Sequence, residues 1–490
     1  MNTQYKWLIL LLVFGCISCE SDDDVSAADE EIVITSGNAD FSKYVSLGNS
    51  LTAGFTDGAL FIAGQENSMP NILAQQFALA GGGEFKQPLM NDNIGGALLG
   101  GTQILNPRFF FDGAGPSVLD AVPTTEITNA VTGPFNNLGV PGAKSFHLPA
   151  EGYGNVAGVA GGLANPYFVR MASSPTASVL GDAMVQSPTF FSLWIGNNDV
   201  LGYALSGGDG TDPITDQTIF SQSYNALVTT LTSGGAKGVG FNIPDVTSIP
   251  HFTTVPHNPV PLDEATTAAV NGAYAAYNGG IVQAFAFLVS QNVISQEDAD
   301  EEIARRTISF TAGEGNAVVI LDENLTDLTG INSDLVNMRQ ATVGDLLVLP
   351  ASSFIGTLAD PQNPLSVNGV AVPLADKWVL TPEEQEEIAV ATTAFNSIID
   401  TAVQQAGLAF VDANTILKEA SENGVMFDEF LLQGNLVFGG AFSLDGVHPT
   451  ARGYAFLANK ALESINATYG SNLPMVKAVD YSTFYSATLQ

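Results

Sequence analysis

Short runs rich in β-branched and aromatic residues alternate along this chain with longer helical or irregular stretches, the pattern of a layered α/β fold. Five runs read as core strands: Lys43 to Leu47, Asn136 to Val140, Phe190 to Ile195, Gly238 to Asn242 and Ala409 to Asp412. The clearest helix begins at Thr381-Pro382-Glu383-Glu384, where a Thr cap, a Pro at the first position and a Glu at the third form a capping box. Apolar Ile388, Ala391, Phe395, Ile398, Ile399 and Ala402 then recur at helical spacing and lead into the last strand.

The spacing of the strands is uneven. About 90 residues separate the first two (47 to 136) and nearly 170 the fourth and fifth (242 to 409), far more than plain crossovers need. The segments Ala80 to Pro134 and Pro250 to Leu380 are therefore expected to be insertions over one end of the sheet. The first is Gly-rich and carries the aromatic run Phe109-Phe110-Phe111. No internal repeat of fixed period is present.

Before the first strand the pattern changes. Lys6, the apolar run Trp7 to Phe14 and small residues ahead of a cysteine read as an export signal, too short to span a bilayer. Val13-Phe14-Gly15-Cys16 and Cys16-Ile17-Ser18-Cys19 both resemble a bacterial lipobox. Cys19 is the expected lipid-attachment residue, because Glu20-Ser21-Asp22-Asp23-Asp24 follows it and looks like the acidic surface-export tag of lipoproteins of the Bacteroidetes type. The expected organisation is a lipoprotein signal over 1–19, an acidic flexible tether over 20–40 and one folded domain over 41–490. The two cysteines are Cys16 and Cys19, so the mature fold has neither a disulfide nor a thiolate metal site. With 15 Lys plus Arg against 50 Asp plus Glu, the formal charge of −35 repels polyanions, and nucleic-acid partners are set aside.

Two stretches carry candidate chemistry. In Gly48-Asn49-Ser50-Leu51 a strand stops and a Ser follows, at the carboxyl end where catalytic groups collect in open α/β sheets. Ser50 could equally cap the helix it begins. In Asp445-Gly446-Val447-His448-Pro449 a carboxylate three residues before a His can accept its Nδ1 proton, fix its tautomer and leave Nε2 as a base. Asn137 to Ser145 and Trp194 to Asp199 could supply oxyanion donors, and each reads as well as an ordinary turn. His251 and His257, in a Pro-rich loop, could line the mouth of a site; no carboxylates accompany them as a metal pair would require.

Taken together and in this order, the four stretches resemble the SGNH hydrolases, of the GDSL-like lipase and esterase type, whose blocks centre on Ser, Gly, Asn and His. Gly48-Asn49-Ser50-Leu51 is similar to the GDSL block, with Asn49 where the family usually has Asp. Asn137 to Ser145 resembles the glycine block, with Gly142 rather than Gly139 aligned to the oxyanion donor, and Gly196-Asn197-Asn198-Asp199 resembles G-x-N-D, placing the donor Asn at 198. Asp445 to Pro449 resembles D-x-x-H-P, and Asn242 to Thr247 the segment after the fourth strand of lipase-like members. The chain contains no G-x-S-x-G nucleophile elbow.

The resemblance implies a three-layer, flavodoxin-like α/β fold with a central five-stranded parallel sheet and large insertions. It implies a serine hydrolase with Ser50 as nucleophile, His448 as base, Asp445 as orienting carboxylate, and Gly142 and Asn198 as oxyanion donors. The expected partner is an ester, either a lipid or an acylated carbohydrate, with no metal or organic cofactor. The expected location is the cell envelope, anchored by lipid to the outer membrane, or secretion. Two alternatives stand beside a lipase or general esterase: a carbohydrate acetylesterase, and a surface lipoprotein that binds glycan or lipid without catalysis.

Overall fold

The computed structural model describes residues 33–489. Five strands form one parallel sheet: β1 (Tyr44–Gly48), β2 (Asn137–Gly139), β3 (Phe190–Trp194), β4 (Lys237–Phe241) and β5 (Ala409–Val411). They are the five runs expected from the sequence, with ends moved by a residue or two. Their order is β2-β1-β3-β4-β5. The chain thus reverses its direction of travel across the sheet between β1 and β3, and ligands of open α/β sheets bind beyond the carboxyl ends of the strands at such a point.

The strands are apolar because helices cover both faces. Phe190 packs against Phe77 of α2 (Met69–Ala78) and Tyr469 of the last long helix, with ring centroids 5.3 and 5.8 Å away. Gly240 lies level with Leu193, on the opposite face from Phe190. A Cβ there would stand 2.5 Å from Val403 and 3.5 Å from the Tyr224 hydroxyl, so two helices press on that strand. The capping box at Thr381 forms as expected, and its helix buries Ile388, Phe395, Ile399 and Ala402.

In chain order the helices used below are α1 (Ser50–Ala53), α2, α3 (Asn198–Leu205), α4 (Gln217–Thr232), α5 (Glu264–Ser290), α6 (Pro382–Gln405) and α7 (Ala451–Tyr469). Tyr224 belongs to α4, Val403 to α6 and Tyr469 to α7. No helix among the described residues is long and apolar enough to cross a membrane.

Both long segments fold into structure of their own. The first contains the hairpins 97–105 and 109–118; the second contains α5, a further helix Gln296–Arg306 and three two-stranded pieces. In the second, buried Arg339 takes Asp322 on Nε at 2.5 Å and Asp345 on both terminal nitrogens at 2.7 Å. Removing one partner of such a pair strands a charge and costs about 3–5 kcal/mol. The second segment also touches the loop that carries His448, and the first touches a turn bonded to it. Gly58, hydrogen-bonded to that loop, packs on Phe109, while Gly446 packs on His251 and Leu349.

The folded domain begins earlier in the chain than expected. Residues 34–40 dock on the domain: Ile34 packs against the core, Ala39 is buried, and Asn38 N–H donates to the Tyr469 carbonyl at 2.8 Å. The apolar residues just past the acidic run are what hold this stretch down. The signal segment and Cys19 lie outside the described residues.

Candidate active site

β1 ends at Gly48 and the chain turns directly into α1. Asn49 caps this helix by accepting Leu51 N–H at 3.0 Å. Ser50 is therefore not the cap, and its hydroxyl is left for another partner. The substituted Asn49 also donates its amide to Asn197 Oδ1 at 3.1 Å, tying the β1 loop to the β3 loop. An Asp at this position has no proton to give.

The partner of Ser50 comes from the loop before α7. Asp445 Oδ1 accepts the N–H of Val447 at 2.8 Å and of His448 at 2.9 Å, which folds the loop back on its own carboxylate. Gly446 makes the turn with φ +72°, a left-handed conformation that costs a side-chain-bearing residue strain. Asp445 Oδ2 stands 2.9 Å from His448 Nδ1, and His448 Nε2 stands 2.9 Å from Ser50 Oγ. Phe55 packs on the imidazole with ring centroids 4.6 Å apart. Burial pushes the Asp445 carboxyl up, but the His448 charge and the donors around it outweigh that and hold it near 2. Asp445 is thus an anion facing the imidazole, which sets Nδ1 as a donor and leaves Nε2 to accept the serine proton.

A tight turn at 56–59 grips this loop from the other side. Thr56 Oγ donates to the Pro449 carbonyl at 3.0 Å, Asp57 N–H to Ser443 Oγ at 2.9 Å and Gly58 N–H to Asp445 Oδ2 at 2.8 Å. Ser443 Oγ in turn donates to Asp445 Oδ1, and Leu444 N–H to Asp57 Oδ1, both at 3.0 Å. Asp57 is itself buried. Desolvation, opposed by the Leu444 bond and reinforced by the Asp445 charge, pushes its carboxyl up to about 7. An unfolded Asp titrates near 4, so between about pH 4 and 7 the fold holds a proton that the unfolded chain has lost, and this group makes stability fall as pH rises. Asp57→Asn keeps the acceptor for Leu444 and removes the charge. Its stability, measured by urea unfolding at pH 5 and pH 8, is expected to fall less than that of the unaltered protein, by an amount on the order of a few kcal/mol. Equal falls would show that Asp57 titrates normally.

Ser50, Asn198 and His448 line one cleft with Asn49 and Asn197. Its other walls are apolar: Leu51, Leu201, Pro244, Val246, Ile249 and Val447, on either side of a narrow, open cleft. Asn198 Nδ2 donates to the Ala143 carbonyl at 2.9 Å, which uses one of its two protons. Gly142, the residue before Ala143, is exposed with φ +81° and does not line the cleft. Neither Gly142 N–H nor Ser50 N–H donates to a backbone or side-chain acceptor among the described residues. Gly139 has another role: a Cβ there would collide with the α1 backbone. Buried Asp199 joins the same two loops by accepting Ser145 N–H at 2.8 Å and Ser145 Oγ–H at 2.7 Å.

The two other candidate histidines do not line this cleft. His251 is buried, donates its N–H to the Gly446 carbonyl at 2.9 Å and so supports the triad loop from behind. Burial depresses its imidazole to about 4, leaving it neutral. His257 accepts Val318 N–H on its carbonyl, and the two histidines belong to no metal-ligating group among the described residues.

The arrangement supplies a hydroxyl, a base with a fixed tautomer, a carboxylate held ionised and a nearby amide donor, the set needed for nucleophilic attack on a carbonyl. Sequence reasoning missed Asn197 and the 56–59 turn. Asp57-Gly58 was legible as a turn dipeptide, but no local signal ties it to a loop 387 positions away. Comparisons with known protein families, with characterised proteins and with solved structures find no match to this chain.

Proposed function

We propose that this protein is a serine esterase of the SGNH type, hydrolysing carboxylic esters through an acyl-enzyme. The observation that carries the reading is the unbroken chain from Asp445 through His448 to Ser50, with both links at 2.9 Å, between residues 398 positions apart. A structural histidine needs one such partner, not a carboxylate on one nitrogen and a hydroxyl at a strand end on the other.

In the proposed reaction His448 Nε2 takes the Ser50 proton as Oγ attacks the ester carbonyl, and the oxyanion forms beside the Asn198 amide and the Ser50 N–H. The imidazolium then protonates the departing alcohol. Water enters and attacks the acyl carbon as it gives a proton to the same nitrogen, and the imidazolium returns that proton to Ser50 Oγ as the bond to Oγ breaks and the acid leaves. Asp445 stays ionised throughout and offsets the imidazolium charge. Cys19 as the point of lipid attachment, with the enzyme held at the envelope surface, belongs to the same proposal.

The cleft is narrow and its walls are aliphatic, which favours a short acyl group, and so the acetylesterase form of this reading, over the medium chains of a lipase. Acetyl esters, including acetylated polysaccharides, are then expected to turn over faster than medium-chain nitrophenyl esters. A preference for octanoate over acetate would reverse that choice and point to a channel that opens on binding. The reading as a whole is tested by a fluorophosphonate probe and peptide mapping, expected to find one adduct, on Ser50. Failure of the folded protein to react at Ser50 sinks the esterase.

A further inference from the structure

Three carboxylates outside the cleft converge where the second inserted segment meets the core. Glu323 follows the strand Val319–Leu321, Asp376 opens the short turn Asp376–Trp378, and Glu384 stands in the first turn of α6. One ligand oxygen from each lies within 4.8 Å of the others. No lysine or arginine neutralises them among the described residues: Arg305 is engaged by Asp322 and Glu383, and Arg339 by Asp322 and Asp345.

The cluster is more than a solvated acidic patch, because part of it is enclosed. Glu384 is 2% exposed; its Oε2 accepts Thr381 N–H at 2.6 Å and Thr381 Oγ–H at 2.8 Å, but its buried Oε1 has no partner. Asp376 Oδ1 is buried and unpartnered too. Gly207 and Gly208, which end α3 at φ +68° and +77°, leave the space: a Cβ on Gly208 would collide with Glu384 Oε1, and one on Gly207 with the Asp376 carbonyl. The negative end of the α3 dipole therefore faces the same place.

A buried carboxylate oxygen without a donor costs free energy that a proton or a cation must offset. Carboxylates from three separate elements, two of them with a buried oxygen that has no donor, spaced to fit around one ion, match a hard cation. Calcium, with ligand oxygens at about 2.3–2.6 Å and tolerant geometry, suits such a set better than magnesium, which demands a near-ideal octahedron at about 2.0–2.1 Å.

We propose that Glu323, Asp376 and Glu384 bind a single calcium-class divalent cation that fastens the 250–380 segment to the start of α6, against the turn that ends α3 opposite Asn198. The ion is structural: it joins an insertion to α6 beside the helix that presents the proposed oxyanion donor, and it takes no part in the reaction at Ser50.

The test is thermal unfolding of the full-length protein after chelator treatment and dialysis, with calcium or magnesium added back. Calcium is expected to raise Tm by a few degrees, saturating at or below the millimolar range. Glu384→Gln and the more exposed Asp376→Asn are expected to lose that response. In chelator they should melt no lower than the unaltered protein, since each removes one of the repelling charges. No rise with calcium overturns the proposal, and the carboxyls then share protons instead. A rise that survives in both variants, or that magnesium reproduces in them equally, overturns it as well, since it reports an ion bound elsewhere or general screening of an acidic surface.

Discussion

Ser50→Ala is expected to lower kcat/KM on an activated acetate ester by about 10⁴-fold or more, with His448→Ala as severe and the double variant scarcely worse than either. The non-additivity is the diagnostic part. Ser50 and His448 share one proton across 2.9 Å, so either loss disables the same step. Any residual rate reflects the donors around the oxyanion. Because Ser50 does not cap α1, its replacement by alanine leaves the Asn49 cap intact, and Tm should scarcely move. A fall of less than tenfold in the single variants, or losses that multiply in the double, would place the chemistry elsewhere.

Asp445→Asn is expected to cost about 10³- to 10⁴-fold at neutral pH, measured as kcat/KM on the same ester. Asp445 uses both oxygens as acceptors: Oδ1 takes Ser443 Oγ and two backbone N–H groups, and Oδ2 takes Gly58 N–H and His448 Nδ1. An amide has one oxygen, so whichever way it turns, its NH₂ faces protons. If it faces His448, the imidazole must present a bare nitrogen there and carry its proton on Nε2, where it can no longer accept one from Ser50. The carboxyl is also held near 2, below an unfolded Asp. Its contribution to stability is present above about pH 4 and is lost as pH falls toward 2. The variant should therefore lose that step in an acid-unfolding curve. Retention of more than a tenth of the activity would show that the carboxylate charge is dispensable.

The core of the fold was legible because the five strands are short apolar runs bounded by Gly, Asn and Asp, and because the capping box at Thr381 is local chemistry. The triad was legible in the same way. A three-residue Asp-to-His spacing is set by a loop that closes on itself, and Ser50 stands just past a strand end. What was not legible depends on pairing at a distance. Asn49 reads in the sequence only as a departure from the usual Asp, whereas its amide bonds to Asn197, which the sequence marks only as the variable position of a motif. Gly142 aligned with an oxyanion donor by motif, yet it is exposed and is not among the residues that line the cleft. Residues 34–40 were read as tether because the acidic run before them has no periodicity, and only their contacts with α7 and its flanks show them docked.

The distance along the chain between hydroxyl and imidazole also has a bearing on biosynthesis. A ribosome or an export channel delivers the serine some four hundred residues before the histidine that would activate it. Until the last long helix settles beside the sheet, position 50 of the nascent protein carries only an ordinary alcohol.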